Sequence, residues 1–171
     1  MDTYFDLGEY SFPVTTQSTE AQKWFDRGIL WTYGYNHEEA VMCFERAIGA
    51  DPKCAMAYWG AGYASGPNYN MPWDLFDYAG RAAAARAGYA NARKALDMID
   101  GVTRWEAALI NALPARYPQP EPLDPEVMKA WNVDFADAMR DVFAVHPESH
   151  EVRTVFAESL LNLTPWKMWD L

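Results

Sequence analysis

Three short runs of this chain carry side chains that could orient a ligand through hydrogen bonds. Tyr35-Asn36-His37 offers a phenol, an amide and an imidazole, Asn68-Tyr69-Asn70 offers two amides and a phenol, and Glu158 and Asn162 stand one helical turn apart. At the rim of an aromatic cavity, such groups suit a small-molecule binding protein or a biosynthetic type of enzyme. Each also has an ordinary use. Asn36 can cap a helix, His37 can be a first-turn surface residue, Asn68 and Asn70 can hold their own loop, and Glu158 and Asn162 can face solvent. His146 and His150 have the i, i+4 spacing of a helical metal pair, with Glu148 and Glu151 beside them. Pro147 puts His146 at or before a helix start, so the two rings need not share a face. His37-Glu38-Glu39 lacks the second histidine of a zinc-protease motif. No metal site and no cofactor is therefore expected. There is no phosphate-cradling glycine loop, no G-x-S-x-G elbow and no C-x-x-C. This weakens the case for an enzyme, although general acid and base pairs need no local signature.

The elements that would position these groups are helical. Trp24, Gly28 and Trp31 recur at i, i+4 and i+7, and Ala40, Phe44 and Ala47 repeat the interval after a break at Gly34-Tyr35-Asn36. Helices are expected over 19–34, capped by Ser18 or Thr19, and from Asn36, with Glu39 reaching back as in a capping box. Asp51-Pro52 should start a third helix over 53–65, in which Tyr58 and Gly62 stand thirty-four positions after Trp24 and Gly28. Two prolines then force a loop over 66–73. An alanine-rich helix over 74–98 should follow, its basic residues on a solvated face. Thr103 and Glu106 read as a capping box for a fifth helix that Pro114 ends. The proline-rich stretch 114–125 reads as a semi-rigid surface loop. A sixth helix starts at Asp124-Pro125 with Val127, Trp131, Phe135, Met139 and Phe143 at intervals of four, and a seventh starts near Pro147 with Val152, Val155, Phe156, Leu160 and Leu163. Residues 1–18 lack helical periodicity and read as an extended arm whose Tyr4, Phe5, Tyr10 and Phe12 pack on the first helices. The chain is all-α.

Trp24, Gly28, Trp31, Ala40, Phe44, Ala47 and Pro52 resemble the tetratricopeptide repeat signature, with Arg27 where the motif usually has Leu and Trp31 where it usually has Tyr. The run WFDRGILWTYGYNHEEAVMCFERAIGADPKCAMAYWG, with GPNYN and AESLLNLTPWKMWDL, also resembles the N-terminal part of longer tetratricopeptide-repeat proteins of unassigned chemistry. The resemblance implies a right-handed superhelix of antiparallel helix pairs over 19–171, with its clearest repeat at 19–52 and a second at 53–98 carrying the loop insertion 66–73. It also implies that the first helix of each repeat lines a concave face, here with Gln22, Phe25, Ile29, Thr32, Tyr33, Met56, Trp59 and Tyr63. That face is aromatic, whereas repeats that grip acidic chaperone tails present Lys, Asn and Arg.

Composition narrows the partners. Half the residues are apolar and eight are Trp, which argues against disorder. A net charge of −10 argues against nucleic acid or an anionic membrane as partner. The N-terminus has neither the basic start nor the apolar centre of a signal peptide, and no stretch is long enough to span a bilayer, so a cytoplasmic address is expected. Cys43 and Cys54 read as buried thiols rather than a disulfide. The terminal run Thr164 to Leu171, with two tryptophans, would need covering by a partner chain, a second subunit or the arm, or else the chain is a truncated copy. The expected function is a binding module or scaffold holding a partner segment on the concave face. The alternative is a small-molecule site. The binding set for the two readings together is Phe25, Ile29, Tyr33, Tyr35, Asn36, His37, Trp59, Tyr63, Asn68, Tyr69, Asn70, Glu158 and Asn162.

Overall fold

A computed structural model describes residues 4–167 and 169. Among them are seven α-helices and no strand: α1 (Thr19–Tyr33), α2 (His37–Ala50), α3 (Ala55–Ser65), α4 (Tyr78–Leu96), α5 (Arg104–Ala112), α6 (Pro125–Val145) and α7 (His150–Leu161). None is long and apolar enough to cross a membrane. Among α1 to α4 the heaviest packing is between consecutive helices, and α6 packs on α7. Between them α5 breaks the succession by contacting α3 and α6 as well as α4.

Caps fix most boundaries. Ser18 accepts from the Ala21 amide, Asn36 from Glu39 and Ser149 from Val152. The capping box of Thr103 and Glu106 is formed. Glu39, by contrast, does not reach back to its own cap, because its carboxylate accepts the Tyr4 hydroxyl at 2.6 Å. The third helix starts at Ala55 rather than at 53, since Asp51 closes α2 through its amide and spends its carboxylate on the Lys53 amide at 3.0 Å. A 3-10 turn, Trp73–Leu75, delays α4 to Tyr78, where Asp77 caps it by accepting from Gly80.

Two larger corrections concern the second half. The buried stripe of α6 is Met128, Trp131, Phe135, Met139 and Val142, leaving Val127 exposed and Phe143 only partly buried. Steps of four residues drift about 40° each on a helix, so a stripe that stays on one face has to include steps of three. Leu160 and Leu163 are likewise exposed. The stretch 114–125 is not simply a surface loop: Pro114 sits inside a 3-10 turn, Leu113–Arg116, and both Arg116 and Tyr117 are fully buried.

The arm packs along the first helices and beyond. The Tyr4 and Phe5 rings meet Trp24 and Trp31 edge-on, and the guanidinium groups of Arg27 and Arg46 lie over the Trp24 ring at 4.5 and 4.4 Å. Phe12 sits against Phe25 and stacks on Trp105 of α5. Gln22 ties the arm down, donating to the Phe12 carbonyl and accepting from the Val14 amide, both at 2.9 Å. The Thr15 hydroxyl and amide donate to Glu106, whose carboxylate is buried. Cys43 and Cys54 are free and buried.

Candidate functional site

A cleft of about 450 Å³ opens where the end of α1 and the start of α2 approach α3 and α7, with Thr32, Tyr33, Tyr35, His37, Tyr63, Arg153, Thr154, Ala157, Glu158 and Leu161 around it. The elements explain the gathering. Gly34, Tyr35 and Asn36 turn the chain between α1 and α2, with Tyr35 in the left-handed region at φ 59°. A bulky residue there is strained. The turn places the Tyr35 ring on that of His37, 6.2 Å apart and 17° from parallel. On α7, residues 154, 158 and 161 share one face by helical spacing.

His37 is the most constrained group of the cleft. Its Nδ1 lies 3.1 Å from the Ala64 carbonyl oxygen. A carbonyl only accepts, so Nδ1 carries the proton and Nε2 keeps a lone pair. Burial, reinforced by the charge of Arg116, pushes this imidazole down to about 4, so it is neutral near pH 7. No described residue hydrogen-bonds to Nε2, which is open to the cleft rather than sealed in the core.

Glu158 supplies the carboxylate. It accepts the Tyr63 hydroxyl at 2.8 Å on one oxygen and the Asn162 amide at 2.7 Å on the other, and Arg116 Nη1 stands 3.9 Å away. Burial, and then the charge of Glu158, raise the Tyr63 phenol well above its usual value, keeping it a neutral donor. Arg116 is wedged between the rings of Tyr63 and Phe135, with Cζ 4.8 and 4.9 Å from their centroids, and donates to the Pro67 carbonyl. The Tyr33 hydroxyl is buried between Tyr10 and Thr154 without a well-formed hydrogen bond to either.

A second, larger groove of about 700 Å³ shares Tyr35 and His37 with the first. Asn36, Glu38, Val41, Met42, Ala64, Ser65, Gly66, Asn68, Met71 and Phe76 complete it.

No protein-family model, curated protein or solved structure matches this chain.

Of the residues expected to bind, Tyr33, Tyr35, His37, Tyr63 and Glu158 share the first cleft, while Asn36 and Asn68 border the second. Asn162 reaches the first cleft only through Glu158. Phe25, Ile29 and Trp59 are core residues. Phe12 and Phe44 cover Phe25, and the Trp59 indole donates to the Leu109 carbonyl at 3.1 Å. The expected concave aromatic face is filled at these positions by the arm and by α5. Asn68 holds its own loop, accepting from the Asn70 and Met71 amides at 2.9 and 3.0 Å. Asn70 is exposed and borders neither cleft, and Tyr69 lies beside Trp166, 5.9 Å between centroids. His146 closes α6 and His150 opens α7, and among the described residues no three metal-binding side chains converge. The sequence reading missed Arg116, Arg153 and Thr154. Of these only Thr154 carried a signal, since it and Glu158 are spaced i, i+4.

Proposed function

We propose that the protein binds a small organic molecule in the cleft between the α1–α2 turn and α7. The supporting observation is the state of His37: a partly buried neutral imidazole, its tautomer set by Ala64, whose remaining lone pair has no partner among the described residues. Together with the Glu158 carboxylate it gives the cleft two acceptors within tyrosine walls. A ligand that donates hydrogen bonds meets that demand. The helix succession α1 to α4 is of tetratricopeptide-repeat type on this reading, with the arm and α5 occupying what would otherwise be an open groove.

Native mass spectrometry of the protein purified from its own source tests this. The expected result is a small molecule retained by the wild-type chain and lost from His37→Ala. A bare chain, or a mass that His37→Ala retains equally, overturns it.

A scaffold role has separate support in the exposed side chains of Leu75, Leu163, Trp166 and Trp169. In that case a second polypeptide would accompany the chain in the same spectrum, and Trp166→Ser would release it. Of the terminal run, Met168, Asp170 and Leu171 lie outside the described residues.

A further inference from the structure

The two clefts meet at one pair of rings. Tyr35 and His37 border both, so the stacked pair forms a shared wall rather than the end of either. Tyr35 holds this position from a backbone conformation that glycine or asparagine would adopt with less strain, and strain of this kind gathers at ligand-contacting positions. On opposite sides of the wall the chemistry differs. Toward α7 lie the Glu158 carboxylate and the tyrosines, and toward α2 and the 66–76 segment lie Val41, Met42, Met71 and Phe76. Met42 and Met71 are 46% and 37% exposed, so their flexible apolar side chains are free to repack against a ligand.

We propose that the ligand is an elongated primary amine, its ammonium group donating to Glu158 and to His37 Nε2, its hydrocarbon body passing Tyr35 into the groove of Val41, Met42, Met71 and Phe76. This rests on the small-molecule reading of the first cleft and adds the class and length of the ligand. Glu158 keeps lone pairs beyond those taken by Tyr63 and Asn162, His37 Nε2 keeps one, and an ammonium supplies three donors. The faces of Tyr33 and Tyr35 add attraction for a cation, whereas the faces of Tyr63 are already taken by Arg116 and Trp59. Of the positive groups nearby, Arg116 stands 3.9 Å from Glu158 and shares its charge without a hydrogen bond to it. Arg116 is held at Pro67 and between two rings, and Arg153, at the cleft, donates from Nε to the Pro147 carbonyl at 2.6 Å. Glu38, bordering the second groove, repels an anion and tolerates an amine.

The test is isothermal titration of the full chain with butylamine, octylamine and dodecylamine, each below its micellar concentration, against alkanoates of the same lengths. One-to-one binding of the amines is expected, tightening by up to about fourfold per added CH₂ while the chain still meets apolar wall. Met42→Asp, on an exposed helix face, is expected to weaken dodecylamine at least tenfold, with a smaller effect the shorter the amine. Adding a negative charge would strengthen non-specific attraction of amines to this acidic chain, so the sign of the change separates the two. An affinity that stops rising beyond butylamine overturns the spanning geometry, and equal binding of the alkanoates overturns the ammonium head. If the native spectrum shows a small molecule that depends on His37 but no alkylamine binds, only the present proposal fails. If neither is seen, the cleft is not a small-molecule site.

Discussion

Two aromatic side chains are each inserted between close-packed glycines, one in the N-terminal half and one in the connector before α6. Phe44 projects from α2 against Gly28 of α1 and Gly60 of α3, where a Cβ at Gly28 would lie 2.6 Å from its ring and one at Gly60 closer still. Tyr117 projects against Gly88 of α4 and Gly66, and its hydroxyl donates to the Gly62 carbonyl at 2.8 Å. The Phe44 junction is purely apolar and joins consecutive helices. The Tyr117 junction carries Arg116 with it, and with Arg116 a charge, a carboxylate partner on α7 and a hydrogen bond to Pro67. The first holds the helices together, while the second holds the cleft's carboxylate in place. Apolar packing is enough to stack helices, but aiming a polar group needs another polar group, buried and partnered.

If that contrast is right, Arg116→Ala is the most damaging single change. It leaves a cavity and removes the buried counter-charge of Glu158, and should cost about 3–5 kcal/mol in urea unfolding. Arg116→Met, which keeps the volume, should recover part of that loss, and equal losses would mean that the charge does not matter. A pH dependence tests the cleft more gently. His37 titrates near 4 folded and near 6.5 unfolded, so between those values the unfolded chain binds the extra proton. Its contribution is complete above about pH 6.5 and falls as pH drops toward 4, by at most about 3 kcal/mol. Wild-type stability should therefore fall more between pH 7 and 5 than that of His37→Gln. Parallel losses would show that the ring titrates normally. At the apolar junction, Gly60→Ala forces a methyl into Phe44 and should cost about 1–3 kcal/mol, with Phe44→Leu in the same chain restoring some of it. Gly49 gives the smallest effect and the opposite sign. It lies in α2 with nothing within 4 Å of a built Cβ, so Gly49→Ala should stabilise by roughly 0.5–1 kcal/mol. A loss there would show that the backbone, not the ring, decides what these glycines do.

Element existence and most caps could be read in the chain because they are local. Ser18, Asn36 and the Thr103/Glu106 box act within one turn, and the Trp24, Gly28 and Ala40, Phe44 spacings reflect helix geometry alone. The same locality misled where a side chain had a distant competitor. Glu39 had Tyr4 and Asp51 had Thr16, whose hydroxyl donates to its carboxylate, so neither did what its own helix end suggested.

The site divides the same way. Tyr35, His37 and Glu158 announced themselves by type, because a phenol, an imidazole and a carboxylate are what binding chemistry uses. Their meeting did not, since Tyr63 and Glu158 are 95 residues apart and touch only because α7 returns to the end of α1 and α3. Arg116, between prolines, had every local mark of a surface residue, and its burial depends on Tyr63, Phe135 and Pro67 arriving from three other segments. The repeat resemblance put Phe25, Ile29 and Trp59 on an open concave face, but all three are buried, Phe25 against Phe12 and Trp59 with its indole on the Leu109 carbonyl. The sequence by itself determined helices and caps, whose hydrogen bonds close within four residues. Only the tertiary structure decided which face was left open and what charge stood behind it, because burial is a property of whatever arrives from elsewhere in the chain.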